Sequence, residues 1–155
     1  DSKVIKLGPG GKVLDFNMND KCAAGTGRFL EVMAAKLEVG LERLGPLSLL
    51  ANSEVEISSV CTVFAESEVV SLVARNQPTE QIIKGLHRSI VNRLAAMAGM
   101  VGVIDQVVMS GGVAKNKGVV ALLEERFQTT IAVPKEPQLT GALGAALLAS
   151  EEGSR

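Results

Sequence analysis

The sequence predicts an α/β fold in which a mixed sheet, opened by a β-hairpin, is flanked by helices. Three observations predict it. Short runs rich in Val and Ile alternate with longer runs whose apolar residues recur every three or four positions. The first two short runs are separated only by a Gly-Pro-Gly-Gly turn at residues 8–11, which indicates a hairpin and excludes an all-parallel sheet. Glycine-rich turns join later strands to the helices that follow them.

The local patterns place the elements in order along the chain. Strands are predicted at residues 4–7, 13–18, 55–60, 106–109 and 129–133. Helices are predicted at residues 27–39 with Gly40 as the stop, 41–51, 64–73, 80–100 with Thr79 as the cap and Gly102 as the stop, 116–127 and 141–150. The longest helix carries one apolar face, formed by Ile82, Ile83, Leu86, Ile90, Leu94 and Met97.

Composition excludes several classes of function. The chain has 155 residues, a net charge of −1 and only 3% aromatic residues, so it lacks the basic surface and stacking platforms of a nucleic-acid binder. No apolar run is long enough to span a bilayer, and two cysteines are too few for a disulfide framework. We therefore expect a cytoplasmic protein without nucleic-acid or membrane partners. The absence of an initiator Met leads us to expect one part of a larger protein.

Two cysteines stand where strand-like runs pass into helical ones. Cys22 precedes the glycine-rich stretch at 25–27, and Cys61 follows the run at 55–60. Three interpretations are open. The thiols can be inert apolar side chains, or part of a zinc site, for which the single histidine, His87, has no partner at helical spacing. They can also be half of a four-thiolate iron–sulfur site that a second copy completes across a two-fold axis. Helix N-termini stabilise thiolates, which suits this third interpretation.

Glycines at two of these junctions are the candidate ligand-binding signal. Gly111 and Gly112 follow the strand at 106–109, and a backbone without Cβ atoms lets a flat ligand approach. The Gly-Thr-Gly stretch at 25–27 stands at a helix N-terminus, where free N–H groups stabilise anions, but it matches neither a P-loop nor a complete Gly-x-Gly-x-x-Gly. A tight turn explains either stretch equally well.

The remaining polar residues predict no catalytic set. His87 is interpreted as a surface or helix-packing residue, and the acidic residues within 66–68 as favourable charges at a helix start. Nothing in the sequence indicates nucleophilic catalysis.

Four stretches carry a family resemblance: residues 19–30 (NDKCAAGTGRFL), 61–68 (CTVFAESE), 108–116 (VMSGGVAKN) and 137–146 (PQLTGALGAA). In this order they resemble the activators of 2-hydroxyacyl-CoA dehydratases, a family that includes the ATPase subunits of benzoyl-CoA reductase. The resemblance implies an actin-like ATPase (ribonuclease H-like) fold. Residues 1–155 would form its C-terminal lobe, with the N-terminal lobe absent.

The resemblance also implies cofactors and partners. One [4Fe–4S] cluster would be held between the subunits of a homodimer by Cys22 and Cys61 of each chain. ATP or ADP with Mg²⁺ would bind in the cleft, and ferredoxin or flavodoxin would supply the electron. The electron would pass at low potential to a 2-hydroxyacyl-CoA dehydratase or a related acyl-CoA reductase.

The nucleotide-binding residues that the resemblance assigns are Asp1, Gly25, Thr26, Gly27, Gly111, Gly112, Val113 and Asn116. No catalytic residue is assigned, because the catalytic aspartate and first phosphate-binding hairpin of the family belong to the absent half. We therefore expect this chain alone to bind adenine nucleotides weakly and to hydrolyse ATP poorly or not at all.

Two alternative functions remain open on the sequence. One is a cluster-free, nucleotide-binding lobe of a sugar or acyl kinase from the same superfamily. The other is a regulatory, nucleotide-sensing module. Iron content discriminates the first from an activator, and electron transfer to a viologen dye discriminates the second.

Overall fold

The structure is a computed structural model that describes residues 1–19, 23, 26–58, 61–103 and 106–152. The predicted sites at Cys22 and Gly25 lie outside these described residues. The helices are α1 (Gly27–Lys36), α2 (Leu44–Leu50), α3 (Thr62–Ala74), α4 (Thr79–Val101), α5 (Lys117–Phe127) and α6 (Thr140–Glu152). Short 3₁₀ turns occupy Pro9–Gly11, Leu41–Arg43 and Gly112–Lys115.

Within the described residues, the strands form two separate pairs. β1 (Ser2–Leu7) and β2 (Val13–Asn19) make the predicted antiparallel hairpin, with Ile5 opposite Phe16. Its turn contains Gly10 at φ +69°, a conformation that glycine adopts without steric cost. β3 (Val107–Val108) pairs in parallel with β4 (Ile131–Ala132). Both strand directions that the sequence predicts are therefore present.

α4 is the centre of the core and contacts the hairpin, α2 and α5. Its predicted apolar face is confirmed, since Ile82, Ile83, Leu86 and Ile90 are buried and Leu94 packs against the core while half-buried. Residues from α1, α3, α5 and β4 complete this core; they include Phe29, Met33, Val69, Val119, Leu122 and Ile131.

The predicted strand at 55–60 is wrong over its described residues, 55–58, which are neither helix nor strand. This segment lies along α4 instead. The Val55 N–H donates to the Gln81 carbonyl oxygen at 3.3 Å, and a Cβ on Gly85 would collide with the Val55 carbonyl oxygen. Glycine at position 85 therefore lets extended chain pack directly on the helix backbone.

Three of the differences between predicted and observed helix boundaries concern a cap or a stop residue. α4 starts at Thr79 behind Pro78, so Thr79 is the first helical residue and not the cap. α1 ends at Lys36, before the predicted stop at Gly40, because Glu38 adopts a positive φ of 54°. α5 starts at Lys117, and Asn116, predicted as its first residue, is its N-cap.

Several apolar faces remain exposed. The outer face of the hairpin presents Ile5 and Phe16, which are 50% and 60% exposed. α3 exposes Phe64, and α6 exposes its leucines, among them Leu143 and Leu148. Within the described ranges, no helix combines the length and apolar character that a membrane crossing requires.

Candidate functional site

The turn at residues 110–112 is an open backbone surface. Gly111 has φ +87°, and a Cβ built on it would meet no atom within 4 Å. Its N–H donates to the Pro137 carbonyl oxygen at 2.7 Å, which anchors the turn without covering it. A side chain at this position would be strained and would project into open space. A ligand can therefore approach the peptide plane closely here.

The turn brings together three of the four stretches that carry the family resemblance. A Cβ on Gly27, the first residue of α1, would lie 3.3 Å from Cγ2 of Val113. A Cβ on Gly112 would lie 3.4 Å from Nε2 of Gln138. The start of α1, the Gly-Gly turn and the segment that enters α6 are thus neighbours. Gly27 and Val113 are more than 80 residues apart, so local sequence patterns could not predict this contact.

A groove of about 560 Å³ begins beside the same turn, at Ala114 and Lys115. It runs between α2, α5 and the segment at 133–137, and its floor is mainly apolar. Its charged lining residues are three lysines and one glutamate, Lys115, Lys117, Lys135 and Glu124, so positive charge predominates. This volume lies within the range of small-molecule sites, and the lysines favour an anionic ligand.

Asn116 connects the turn to two helices of the core, α5 and α4. Its Oδ1 accepts hydrogen bonds from the N–H groups of Gly118 at 3.0 Å and Val119 at 3.1 Å, which caps α5. Its Nδ2 lies 3.1 Å from Nε2 of His87 on α4. Both polar ends of this side chain are therefore engaged inside the protein.

His87 is fully buried, and burial lowers its pKa to about 4. The histidine is therefore neutral near pH 7. Around it, Gly45 and Ser48 on α2 and Gly118 on α5 pack closely. A Cβ on Gly118 would lie 2.8 Å from both Nδ1 of His87 and Oγ of Ser48.

The sequence interpretation missed this cluster, in which Gly45, Ser48, His87 and Gly118 are buried and Asn116 is half-buried. One signal was available. Position 87 lies four residues after Ile83 and three before Ile90, so it falls on the apolar face of the predicted helix. A polar residue on that face requires a partner, and the partner stands 29 residues away.

Cys61 is exposed and is the N-cap of α3, but its side chain makes no capping hydrogen bond. The thiol is therefore accessible from outside the chain, as a ligand shared with a second chain would need to be. Among the described residues, no group of three or more His, Cys, Asp and Glu side chains is arranged to hold a metal ion. Thr62 Oγ1, next to the thiol, is buried and has no hydrogen-bond partner in the described part of the chain.

The other predicted site residues are distributed around these features. Thr26 is buried at the N-cap of α1, and its hydroxyl donates to the Ala23 carbonyl oxygen. Asp1 is exposed and forms an ion pair with Lys3 at the start of β1. α1 contacts α3, and Lys36 and Glu66 form an ion pair between them at 2.7 Å.

Comparison with known proteins gives a consistent family match. A model of the BadF/BadG/BcrA/BcrD ATPase family matches residues 1–149. The 2-hydroxyisocaproyl-CoA dehydratase activator of Clostridioides difficile is 53% identical over 152 residues, which are 98% of this chain and 57% of that protein.

Two solved structures share the fold. One is the activator of the 2-hydroxyisocaproyl-CoA dehydratase from Clostridium difficile with bound ADPNP, with a TM-score of 0.93 and 52% identity over 98% of this chain and 57% of that chain. The other is component A of the (R)-2-hydroxyglutaryl-CoA dehydratase from Acidaminococcus fermentans, with a TM-score of 0.94 and 48% identity over 99% of this chain and 59% of that chain. These matches confirm the predicted actin-like fold. The chain spans less than two thirds of either neighbour.

Proposed function

Because the chain belongs to the BadF/BadG/BcrA/BcrD ATPase family, we propose that it is the C-terminal, nucleotide-binding lobe of an ATP-dependent activator. Its partner is a 2-hydroxyacyl-CoA dehydratase or a related acyl-CoA reductase. The N-terminal lobe supplies the catalytic aspartate and the first phosphate-binding hairpin, so ATP hydrolysis requires both lobes.

The contact between Gly27 and Val113 is the observation that carries this proposal. It joins the helix that follows Cys22 to the turn that contains Gly111 and Gly112. A nucleotide that binds this turn can therefore displace, through Val113, the start of the helix that follows Cys22 in the sequence. The open face of Gly111 and the lysine-lined groove support nucleotide binding in the same place.

Each residue of the nucleotide site has a distinct part in this proposal. Gly111 and Gly112 admit the nucleoside against the backbone, because no side chain stands in the way. Lys115, which lines the adjoining groove, contributes positive charge near the phosphates. Val113 transmits the position of the turn to Gly27.

Cys22 and Cys61 of two copies supply four thiolates for one [4Fe–4S] cluster, which transfers a single electron when bound. The exposure of Cys61 supports its part in this set. Ferredoxin or flavodoxin is the electron donor. A change of nucleotide at the Val113 turn shifts the start of α1, and this shift changes how the Cys22 side of the site is presented to the partner enzyme.

A matched pair of glycine variants tests nucleotide binding. Gly111 and Gly10 both have positive φ, at +87° and +69°, and neither would place a Cβ within 4 Å of another atom. Both variants place an alanine methyl group in open space at a positive φ, and only Gly111→Ala alters the proposed site. Because ψ is 179° at Gly111 and 16° at Gly10, alanine is strained more at position 111 than at position 10. The measurement is calorimetric titration of MgADP into the polypeptide as its gene encodes it.

We expect Gly111→Ala to weaken MgADP binding at least about tenfold, because its Cβ occupies the ligand face. Gly10→Ala should bind as the unmodified protein does. Equal affinity for all three proteins, or equal loss in both variants, would refute the proposed site.

A second pair of variants tests the coupling. Gly27→Ala adds a methyl group 3.3 Å from Val113, so it should alter how MgATP and MgADP change cluster accessibility to a chelator. Val113→Ala removes the opposing methyl groups, and the double variant should restore the difference between the two nucleotides. If the unmodified protein released iron to the chelator at the same rate with MgATP and with MgADP, the coupling would be contradicted.

A further inference from the structure

We propose that His87 is a positioning residue for the nucleotide turn. It acts through Asn116, to which it presents an unprotonated Nε2. The inference rests on the proposed function in one respect, namely that the turn at 111–115 binds the nucleotide. His87 itself touches no ligand, since it is fully buried behind α5.

The hydrogen-bond pattern fixes the orientation of the Asn116 amide. Its Oδ1 accepts from two backbone N–H groups, those of Gly118 and Val119. An amide nitrogen cannot accept a hydrogen bond from a backbone N–H, so the reverse orientation would place donors against donors. Nδ2 must therefore face His87, at 3.1 Å from Nε2.

The orientation of Asn116 in turn fixes the tautomer of His87. Nδ2 is only a donor, so Nε2 must accept and carries no proton. The ring proton of the neutral imidazole is on Nδ1. That atom is buried and has no partner in the part of the chain that the structure describes. The histidine thus holds Asn116 while one buried donor has no partner, and such a donor in a native protein requires an explanation.

Asn116 connects this histidine to the nucleotide turn. Its N–H donates to the Val113 carbonyl oxygen at 2.9 Å and closes the 3₁₀ turn Gly112–Lys115. Its side chain caps α5. A shift of the Asn116 side chain therefore disturbs the turn on one side and the first turn of α5 on the other.

Two glycines make room for this pair. A Cβ on Gly45 would lie 2.9 Å from Oδ1 of Asn116, and a Cβ on Gly118 would lie 2.8 Å from Nδ1 of His87. α2 therefore packs closely on Asn116, and α5 packs closely on His87. A side chain in place of either glycine would displace one of these two residues.

The test compares three variants of the full polypeptide. His87→Leu removes the acceptor, His87→Gln can present its side-chain oxygen in place of Nε2, and Val91→Ala perturbs the same buried face of α4 without changing a hydrogen bond. MgADP affinity is measured by calorimetry, and hydrogen exchange is measured at the amides of Gly118 and Val119.

We expect His87→Leu to weaken MgADP binding about tenfold and to accelerate exchange at both amides, since Asn116 loses its partner. His87→Gln should recover most of both losses, and Val91→Ala should leave MgADP affinity within about twofold of the unmodified protein. Unchanged affinity in His87→Leu, or an equal loss in Val91→Ala, would overturn the proposal.

The imidazole ¹⁵N spectrum separates this inference from the proposed function. It should report a proton on Nδ1 and none on Nε2, whether or not nucleotide binds. A protein with this tautomer but no affinity for MgADP would refute the proposed function and, with it, the role of His87 towards nucleotide. A proton on Nε2 would refute the positioning arrangement alone.

Discussion

α3 and α5 both follow a predicted site stretch, yet their N-termini are completed in opposite ways. α5 starts behind Asn116, whose Oδ1 accepts from two of its first N–H groups, and His87 holds that side chain from the core. α3 starts behind Cys61, which is exposed and provides no side-chain cap. The first N–H groups of any helix have no partner within the helix. The side chain of the N-cap residue satisfies two of these groups at α5, whereas the side chain of the N-cap residue at α3 satisfies none.

The difference distinguishes a helix start whose cap is held within the protein from one whose cap residue is accessible to a ligand or partner. The half-buried cap at Asn116 maintains one geometry, because both polar atoms of its amide are hydrogen-bonded. The Cys61 side chain at the start of α3 is exposed and makes no capping hydrogen bond, so it is accessible to a partner outside the chain. Substitutions at the two junctions should therefore have opposite consequences for stability and for metal content.

Loss of metal is the largest expected effect. In anaerobically prepared full polypeptide, Cys61→Ser should reduce iron from about four atoms per dimer to almost none, because one ligand of each pair is lost. Ser71→Ala, near the other end of α3, is the control and should retain its iron. Full iron content in Cys61→Ser would exclude Cys61 as a ligand.

Low pH should weaken the α5 junction strongly. The pKa of His87 is about 4 in the folded protein and 6.5 without burial, so the unfolded chain takes up the proton first as pH falls. This contribution to stability is complete above pH 6.5 and declines towards pH 4, by about 3 kcal/mol over the window.

Urea denaturation of the unmodified protein and of His87→Gln between pH 7 and pH 4 measures this contribution. The variant should lack it, while both proteins share the titration of their carboxylates. The known neighbours of the ring, Asn116, Gly118 and Ser48, are uncharged. On α4, Lys84 donates to the Ala51 carbonyl oxygen, and Arg88 pairs with Glu54 and Glu125. Parallel pH profiles for the two proteins would contradict the prediction.

Removing the cap itself should have a somewhat smaller effect. Asn116→Ala should lower the free energy of unfolding by about 2 kcal/mol, since α5 loses its cap and the buried Nε2 of His87 loses its donor. Asn116→Ser retains a capping oxygen and should lie between the two. Asn52→Ala, at an exposed position, should change stability little. A loss in Asn116→Ala no greater than that in Asn52→Ala would show that the cap contributes nothing.

The smallest effect has the opposite sign and occurs at α3. In metal-free protein, Cys61→Ser should raise the free energy of unfolding by about 0.5–1 kcal/mol, because a serine hydroxyl caps the open N-terminus. Cys61→Ala offers no hydroxyl and is the matched control. Equal stability of the serine and alanine variants would indicate that this helix start does not accept a cap.

The spacing of apolar residues was sufficient to predict the elements whose buried face can be read from their own sequence. The apolar face of α4 and the hairpin belong to this group. The segment at 55–58 does not, because alternation of Val55 and Ile57 is equally compatible with a strand and with extended chain lying on a helix. Only the missing side chain at Gly85, 30 residues later, decides between the two.

The glycine turn of the candidate site could be predicted from the sequence. The contacts between residues distant in the sequence could not. Gly111 and Gly112 are conspicuous in the sequence, and the structure gives Gly111 the positive φ that favours glycine. The pairing of His87 with Asn116 is not conspicuous, since each residue alone has an ordinary local explanation. Both explanations held in part, for His87 does pack within a helix and Asn116 does stand beside the turn.

Gly85 lies two residues before His87, and the absence of a side chain there lets Val55 and Ile57 pack directly on the helix backbone. α4 thus contacts both the segment at 55–57 and, through His87, the Asn116 side chain beside the turn at 110–112. If nucleotide binding and cluster binding are coupled through α4, the coupling free energy is the same in both directions, because free energy is a state function. The protein loaded with iron and the protein stripped of it would then differ in ADP affinity by the same factor by which ADP alters cluster binding.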